Sequence, residues 1–176
     1  MAKVEKEIWT IGHSSRSLPE FIDILKSFQI EVLIDVRRFP GSKKFPHFNH
    51  ISLKESLAEN NINYIHLEAL GGRRKVQPDS ENTAWRLASF RGYADHMSSD
   101  EFKIAIKILE KEASNSRTAY MCSEAVWWSC HRSLISDLLK VNGWKVTHIM
   151  NHNKEMDHPY TNPARIVSRQ LSYREE

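Results

Sequence analysis

Residues 122–132, CSEAVWWSCHR, bring together two thiols, a carboxylate, an imidazole, a guanidinium and two tryptophans. Several chemistries compete for that set. A zinc centre takes three or four ligands, with cysteines usually closely paired. Here seven residues separate Cys122 from Cys130, and the chain holds no other cysteine. No metal and no other cofactor is expected. A phosphatase-like thiol needs an arginine six positions after its cysteine, and that position is Trp128. Cys122 is nonetheless expected at a helix N-terminus, where a thiolate is stabilised, so it remains a candidate nucleophile. Cys130 reads as a small buried apolar residue. Glu124 is expected just before the same helix, where a carboxylate gains from unpaired amides. A carboxylate so placed can activate water or stabilise an oxocarbenium-like sugar. Trp127 and Trp128 would keep water away from it, and Arg132 would pin a carboxylate or phosphate. The plain alternative is a helix start with a solvated glutamate.

A second carboxylate stands in DVRRFP (35–40). Asp35 ends an apolar run, and a buried carboxylate must be paired to stay ionised. Strand alternation puts Arg37 on its side and Arg38 on the other. The pair either faces a polar ligand or is a structural ion pair. In RFPGSKKFPHFNH (38–50), Lys43, Lys44 and Phe45 mix charge with aromatic rings, which suits a nucleic-acid strand or a proline-ordered loop packed on the sheet. LGGRRK (70–75) sets Arg73 and Arg74 on flexible backbone, as a phosphate site or a solvated turn. GHSSR (12–16) offers His13 and Ser14 to an anion, although Ser15 or Ser17 could equally cap a helix. Tyr93 and His96 are spaced to share a helical face.

The elements that must position these residues alternate. Strands are expected at 7–13, 31–37, 62–68, 116–122 and 144–150, with helices at 18–28, 53–61, 102–113 and 129–142 between them. Gly143 is placed to end the last helix in a left-handed cap. The pattern predicts a three-layer α/β sandwich: a mostly parallel five-stranded sheet with helices on both faces. Ligands of such sheets bind outside the carboxyl ends of the strands. Each predicted strand delivers polar residues there, whereas the opposite loops carry nothing comparable. Residues 70–98 form an insertion longer than an ordinary connection, as functional loops often do.

The 176 residues fit one domain spanning 1–176. The formal charge of +3 permits a polyanionic partner without demanding one. No run approaches the roughly 20 apolar residues that span a bilayer, so no membrane association is expected. The start, MAKVEKEIWT, lacks the apolar core of a signal peptide. Two cysteines without an export signal point to a reducing cytoplasm.

The ordered set TIGHS, DVRRFPGSKKF, LGGRR, GYADHM, CSEAVWWSCHR and THIM resembles the domain-of-unknown-function 488 family, over about residues 8–170. Ser123 stands where members usually have alanine, and Trp127 or Trp128 where a proline is common. The resemblance implies a compact three-layer α/β domain. It also implies that functional residues lie among His13, Ser14, Asp35, Arg37, Tyr93, Cys122, Glu124, Cys130, His131 and Arg132. It implies no activity. From the residues themselves, the leading expectation is a DNA N-glycosylase or related base-processing hydrolase. Asp35 or Glu124 would act on the sugar carbon or on water, and Arg37 or Arg132 would orient the acting group. An enzyme of small nucleotides or phosphorylated metabolites and a non-catalytic nucleic-acid-binding module are the alternatives.

Overall fold

The computed structural model describes residues 5–175. Residues 1–4, part of the N-terminal stretch read above as lacking a leader, lie outside the described residues, as does residue 176. The strands are β1 (Glu7–Gly12), β2 (Val32–Asp35), β3 (Asn63–His66), β4 (Thr118–Cys122), β5 (Lys145–Asn151) and β6 (Lys154–Asp157), with a separate hairpin of β7 (Arg165–Val167) and β8 (Gln170–Ser172). The helices are α1 (Leu18–Ser27), α2 (His50–Glu59), α3 (Ala88–His96), α4 (Asp100–Asn115) and α5 (Arg132–Val141).

The main sheet runs β3-β2-β4-β1-β5-β6. Its first five strands are parallel, as their apolar runs predict, and β6 is antiparallel to β5. The expected five strands are therefore joined by a sixth. Its sequence, KEMD, is mostly exposed and carries no apolar run to betray it. Alternation along the strands divides the core. Ile8, Val32, Ile34, Val36, Tyr120 and Cys122 pack with α3, α4 and α5, while Trp9, Ile11, Leu33, Ala119 and Met121 pack with α1 and α2.

Local signals fix the helix ends. The Ser17 side chain accepts the Glu20 amide at 3.2 Å, and Ser99 accepts that of Phe102 at 3.2 Å. Each such cap is worth about 1 kcal/mol. Gly143 adopts φ 94° just past α5, a conformation costly to residues with a Cβ. Two expectations change. Helix α5 begins at Arg132, because a separate 3-10 turn occupies Trp127–Ser129. Glu124 and Cys122 consequently do not sit at its N-terminus, and the helix-dipole support expected for them is absent. The 70–98 insertion contains α3, which carries Tyr93 and His96 on one helix as their spacing suggests. No helix among the described residues is long and apolar enough to cross a membrane.

Candidate functional site

The site lies where neighbouring strands send their chains to opposite faces. After β1 the chain enters α1 on one face, and after the adjacent β4 it enters α5 on the other. A crevice forms between them at the carboxyl edge, the usual ligand position in an open α/β sheet. The two segments stay bonded beyond the sheet: the His13 amide donates to the Cys122 carbonyl at 2.9 Å and Ser14 to that of Ser123 at 3.0 Å. Gly12 makes this approach possible. A Cβ there would lie 1.6 Å from the Glu124 carbonyl oxygen, far inside contact distance.

A cavity of about 700 Å³ opens at this edge. Its wall includes the cationic side chains Arg37, Arg38, Lys44 and Arg73, one carboxylate, Glu124, and the imidazoles of His13 and His131. Ser14, Phe39, Phe45, Cys122 and Cys130 also line it. Ser14 (φ 51°) and Arg73 (φ 61°) occupy the left-handed region without being glycine. Such strain persists where surrounding structure imposes it and concentrates at functional sites.

Arg37 is held from behind. Its Nε and Nη2 donate to the two Asp35 carboxylate oxygens at 2.9 and 2.7 Å, and Nη2 also reaches the Phe48 carbonyl at 2.8 Å. The Tyr64 hydroxyl donates to the same carboxylate at 2.5 Å. Asp35 is wholly buried and does not reach the cavity surface. It fixes the guanidinium that does. His13 stacks on Phe48 with ring centroids 4.3 Å apart. Its Nδ1 lies 2.8 Å from the Ser14 carbonyl and its Nε2 3.5 Å from Arg37 Nη1. A carbonyl only accepts, so Nδ1 carries the proton and Nε2 faces the arginine. Burial, aided by Arg37, pushes the His13 pKa down to about 4 against the Ser14 hydrogen bond.

The thiols form part of the cavity floor. Cys122 Sγ and Cys130 Sγ are 2.9 Å apart. Arg132, which is 1% exposed, donates Nε to Cys122 Sγ at 3.0 Å, Nη1 to Thr10 Oγ1 at 3.0 Å and Nη2 to the Glu124 carbonyl at 2.7 Å. The polar contacts continue inward. Thr10 Oγ1 lies 2.6 Å from His148 Nδ1, His148 Nε2 lies 2.8 Å from His158 Nδ1, and His158 Nε2 lies 2.8 Å from Asp137 Oδ1. The chain of contacts thus runs from the Arg132 guanidinium to the Asp137 carboxylate through two buried imidazoles. Burial, then the neighbouring His158 and Arg132, pushes the His148 pKa down to about 2. Trp127 stacks on His148, with centroids 4.6 Å apart and planes 3° from parallel.

The family model for the domain of unknown function DUF488 matches residues 17–139. The chain belongs to the DUF488 family. No curated protein and no solved structure matches it. The DUF488 match takes in Asp35, Arg37, Glu124, both cysteines and Arg132. It stops short of His13 and Ser14 at one end and of His148 and His158 at the other.

Of the residues singled out from the sequence, the cavity gathers His13, Ser14, Arg37, Arg38, Lys44, Phe45, Arg73, Cys122, Glu124 and His131. Others lie elsewhere. Lys43 is exposed outside the lining. Arg74 is turned toward the carbonyls of Gly71 and Glu68, each at 3.1 Å. Tyr93 is buried and donates to the Leu70 carbonyl at 2.7 Å. Trp127 is buried on His148, and Trp128 is exposed; neither belongs to the cavity lining. Arg132 lies under the thiols rather than in the wall. Phe39 and Cys130 line the cavity without having been singled out as ligand contacts. Phe39 stood in the aromatic-basic loop, a signal that could have found it. Cys130 read as a buried apolar residue and only the family resemblance counted it as functional, because its closeness to Cys122 depends on how residues 123–129 turn.

Proposed function

We infer that this DUF488 domain is a hydrolase of the base–sugar bond in nucleic acid, with Glu124 activating the attacking water. The observation that carries this reading is a cavity lined by a single acidic residue, Glu124, and four cationic ones. The cations suit the phosphates on either side of a nucleotide. Glu124 is the group able to accept a proton from water near an electron-poor sugar carbon. Glycoside hydrolysis commonly uses two carboxylates because an alcohol must be protonated as it leaves. A modified base departs more readily, so one carboxylate suffices. Asp35 has no direct part in this chemistry; it holds Arg37 in place.

A strand is favoured over a free nucleotide by Phe39. Its ring is 58% exposed on the cavity wall, with the guanidiniums of Arg38 and Arg73 at 5.3 and 5.7 Å from its centroid. A ring flanked by cations offers a stacking surface for a base neighbouring the extruded one. The cavity volume also suits a single nucleotide, which is the second reading. Incubating the protein with DNA carrying a panel of modified bases, then scoring alkali-sensitive abasic sites, separates the two. Abasic sites support the strand reading. Thermal stabilisation by nucleotides without abasic sites supports the second. Neither response from the folded protein sinks both.

A further inference from the structure

The Glu124 chemistry leaves the buried thiols unused. Arg132 is a buried guanidinium with no carboxylate in ion-pair range among the described residues. A guanidinium does not give up its proton, and a buried charge without a counter-charge is costly. Its side-chain partners are a threonine hydroxyl, a backbone carbonyl and Cys122 Sγ. Its backbone amide points at Cys130 Sγ from 3.4 Å. The two sulfurs are 2.9 Å apart, in direct contact and close enough to join with little movement. Of the side chains in contact with Arg132, the thiols are the ones able to carry a negative charge.

We propose that Cys122 and Cys130 form a reactive dithiol opening on the cavity, with Cys130 as nucleophile and Cys122 as resolving thiol, for an anionic low-molecular-weight disulfide. The assignment of roles follows the surroundings. Burial works against a thiolate at Cys130, but the Cys122 S–H, Arg132 and His131 outweigh it and bring the pKa down to about 5. Burial and the adjacent Cys130 push Cys122 up, so it keeps its proton. The other titratable neighbours, Tyr93 from α3 and Tyr120 from β4, are held neutral by burial. Cys130 is also the less buried of the two, at 8% against 2%. The cationic wall selects the substrate's charge.

The reaction balances without a further reagent. The Cys130 thiolate attacks one sulfur of the disulfide, forms a mixed disulfide and releases one small thiolate. Cys122 then gives up its proton to that thiolate and attacks Cys130 Sγ. The internal disulfide forms as the second small thiolate leaves. Two protein thiols are oxidised and one disulfide is reduced to two thiols. None of this depends on Glu124.

The reduced chain is treated with 5,5′-dithiobis(2-nitrobenzoate), a dianionic disulfide with a coloured leaving thiolate, and in parallel with cationic cystamine. The native protein is expected to release two equivalents of colour and lose two hydrogens in mass. Peptide mapping should show a Cys122–Cys130 bond, and added salt should slow the anionic disulfide several-fold while leaving cystamine unslowed; equal salt responses would remove the cationic wall from the selection. Cys122→Ser should stop at a mixed disulfide on Cys130. Should the variants not fold, alkylation of wild-type Cys130 by iodoacetamide decides: a rate flat between about pH 6 and 9 supports a standing thiolate. A rate climbing across that range, or native thiols that react only after denaturation, overturns the proposal.

Discussion

Arg37 and His13 share the rear of the cavity, and burial decides what each contributes. Arg37 keeps its charge because Asp35 binds it through both oxygens. Arg37→Ala would leave a buried carboxylate without its cation, and should cost about 3–5 kcal/mol in urea unfolding. An unchanged unfolding midpoint would contradict the pairing. His13 is kept neutral, with its pKa near 4 against about 6.5 in an unfolded chain. The folded state therefore binds fewer protons than the unfolded state between those values. Stability is present in full above about pH 6.5 and falls as the pH drops toward 4. His13 alone should remove about 3 kcal/mol by pH 4, and buried His148 extends the loss to lower pH. Unfolding curves for wild type and His13→Asn across this range test it: the variant should lose less stability on acidification. Alternation along β2 was enough to place Asp35 beside Arg37. It could not show that Tyr64 closes over Asp35, because that contact depends on β3 lying beside β2.

At the scale of elements, the cavity exists because β1 and the chain after β4 touch beyond the sheet. Gly12→Ala places a methyl against the Glu124 carbonyl and must push the 123–126 segment away. A stability loss of about 1–3 kcal/mol is expected from such overpacking, with any activity falling further than stability. Full activity in Gly12→Ala would contradict the positioning ascribed to this contact. The five parallel strands were legible because each is a short apolar run between helical patterns. Helix α5 was misplaced at its start because residues 127–131 carry no signal separating a 3-10 turn from a first helical turn. Strand β6 escaped notice because its residues are charged and its partner is supplied by the fold. The chain from Arg132 to Asp137 was invisible for the same reason: it joins β1, β5, α5 and the residue after β6.

Over the whole molecule, a net charge of +3 is modest, yet four cationic side chains converge on one cavity. Local concentration rather than total charge governs attraction of a polyanion. Binding of single-stranded DNA should therefore weaken with salt, and Arg38→Ala with Arg73→Ala should reduce the slope of log K against log salt by up to about 1.4. An unchanged slope would remove both residues from the contact. The polar ends of the strands already pointed to this edge in the sequence. Their sorting into wall, support and bystander required the fold: Glu124 lines the cavity, Asp35 supports Arg37 from behind, and Trp128 lies outside the lining. The most direct test of the account is single-turnover release of a modified base from DNA by wild type and Glu124→Gln at equal folded concentration. The account predicts abasic sites with wild type and a loss of about 100-fold or more in the variant. Equal rates for the two proteins, or no abasic sites from folded wild type, would contradict it.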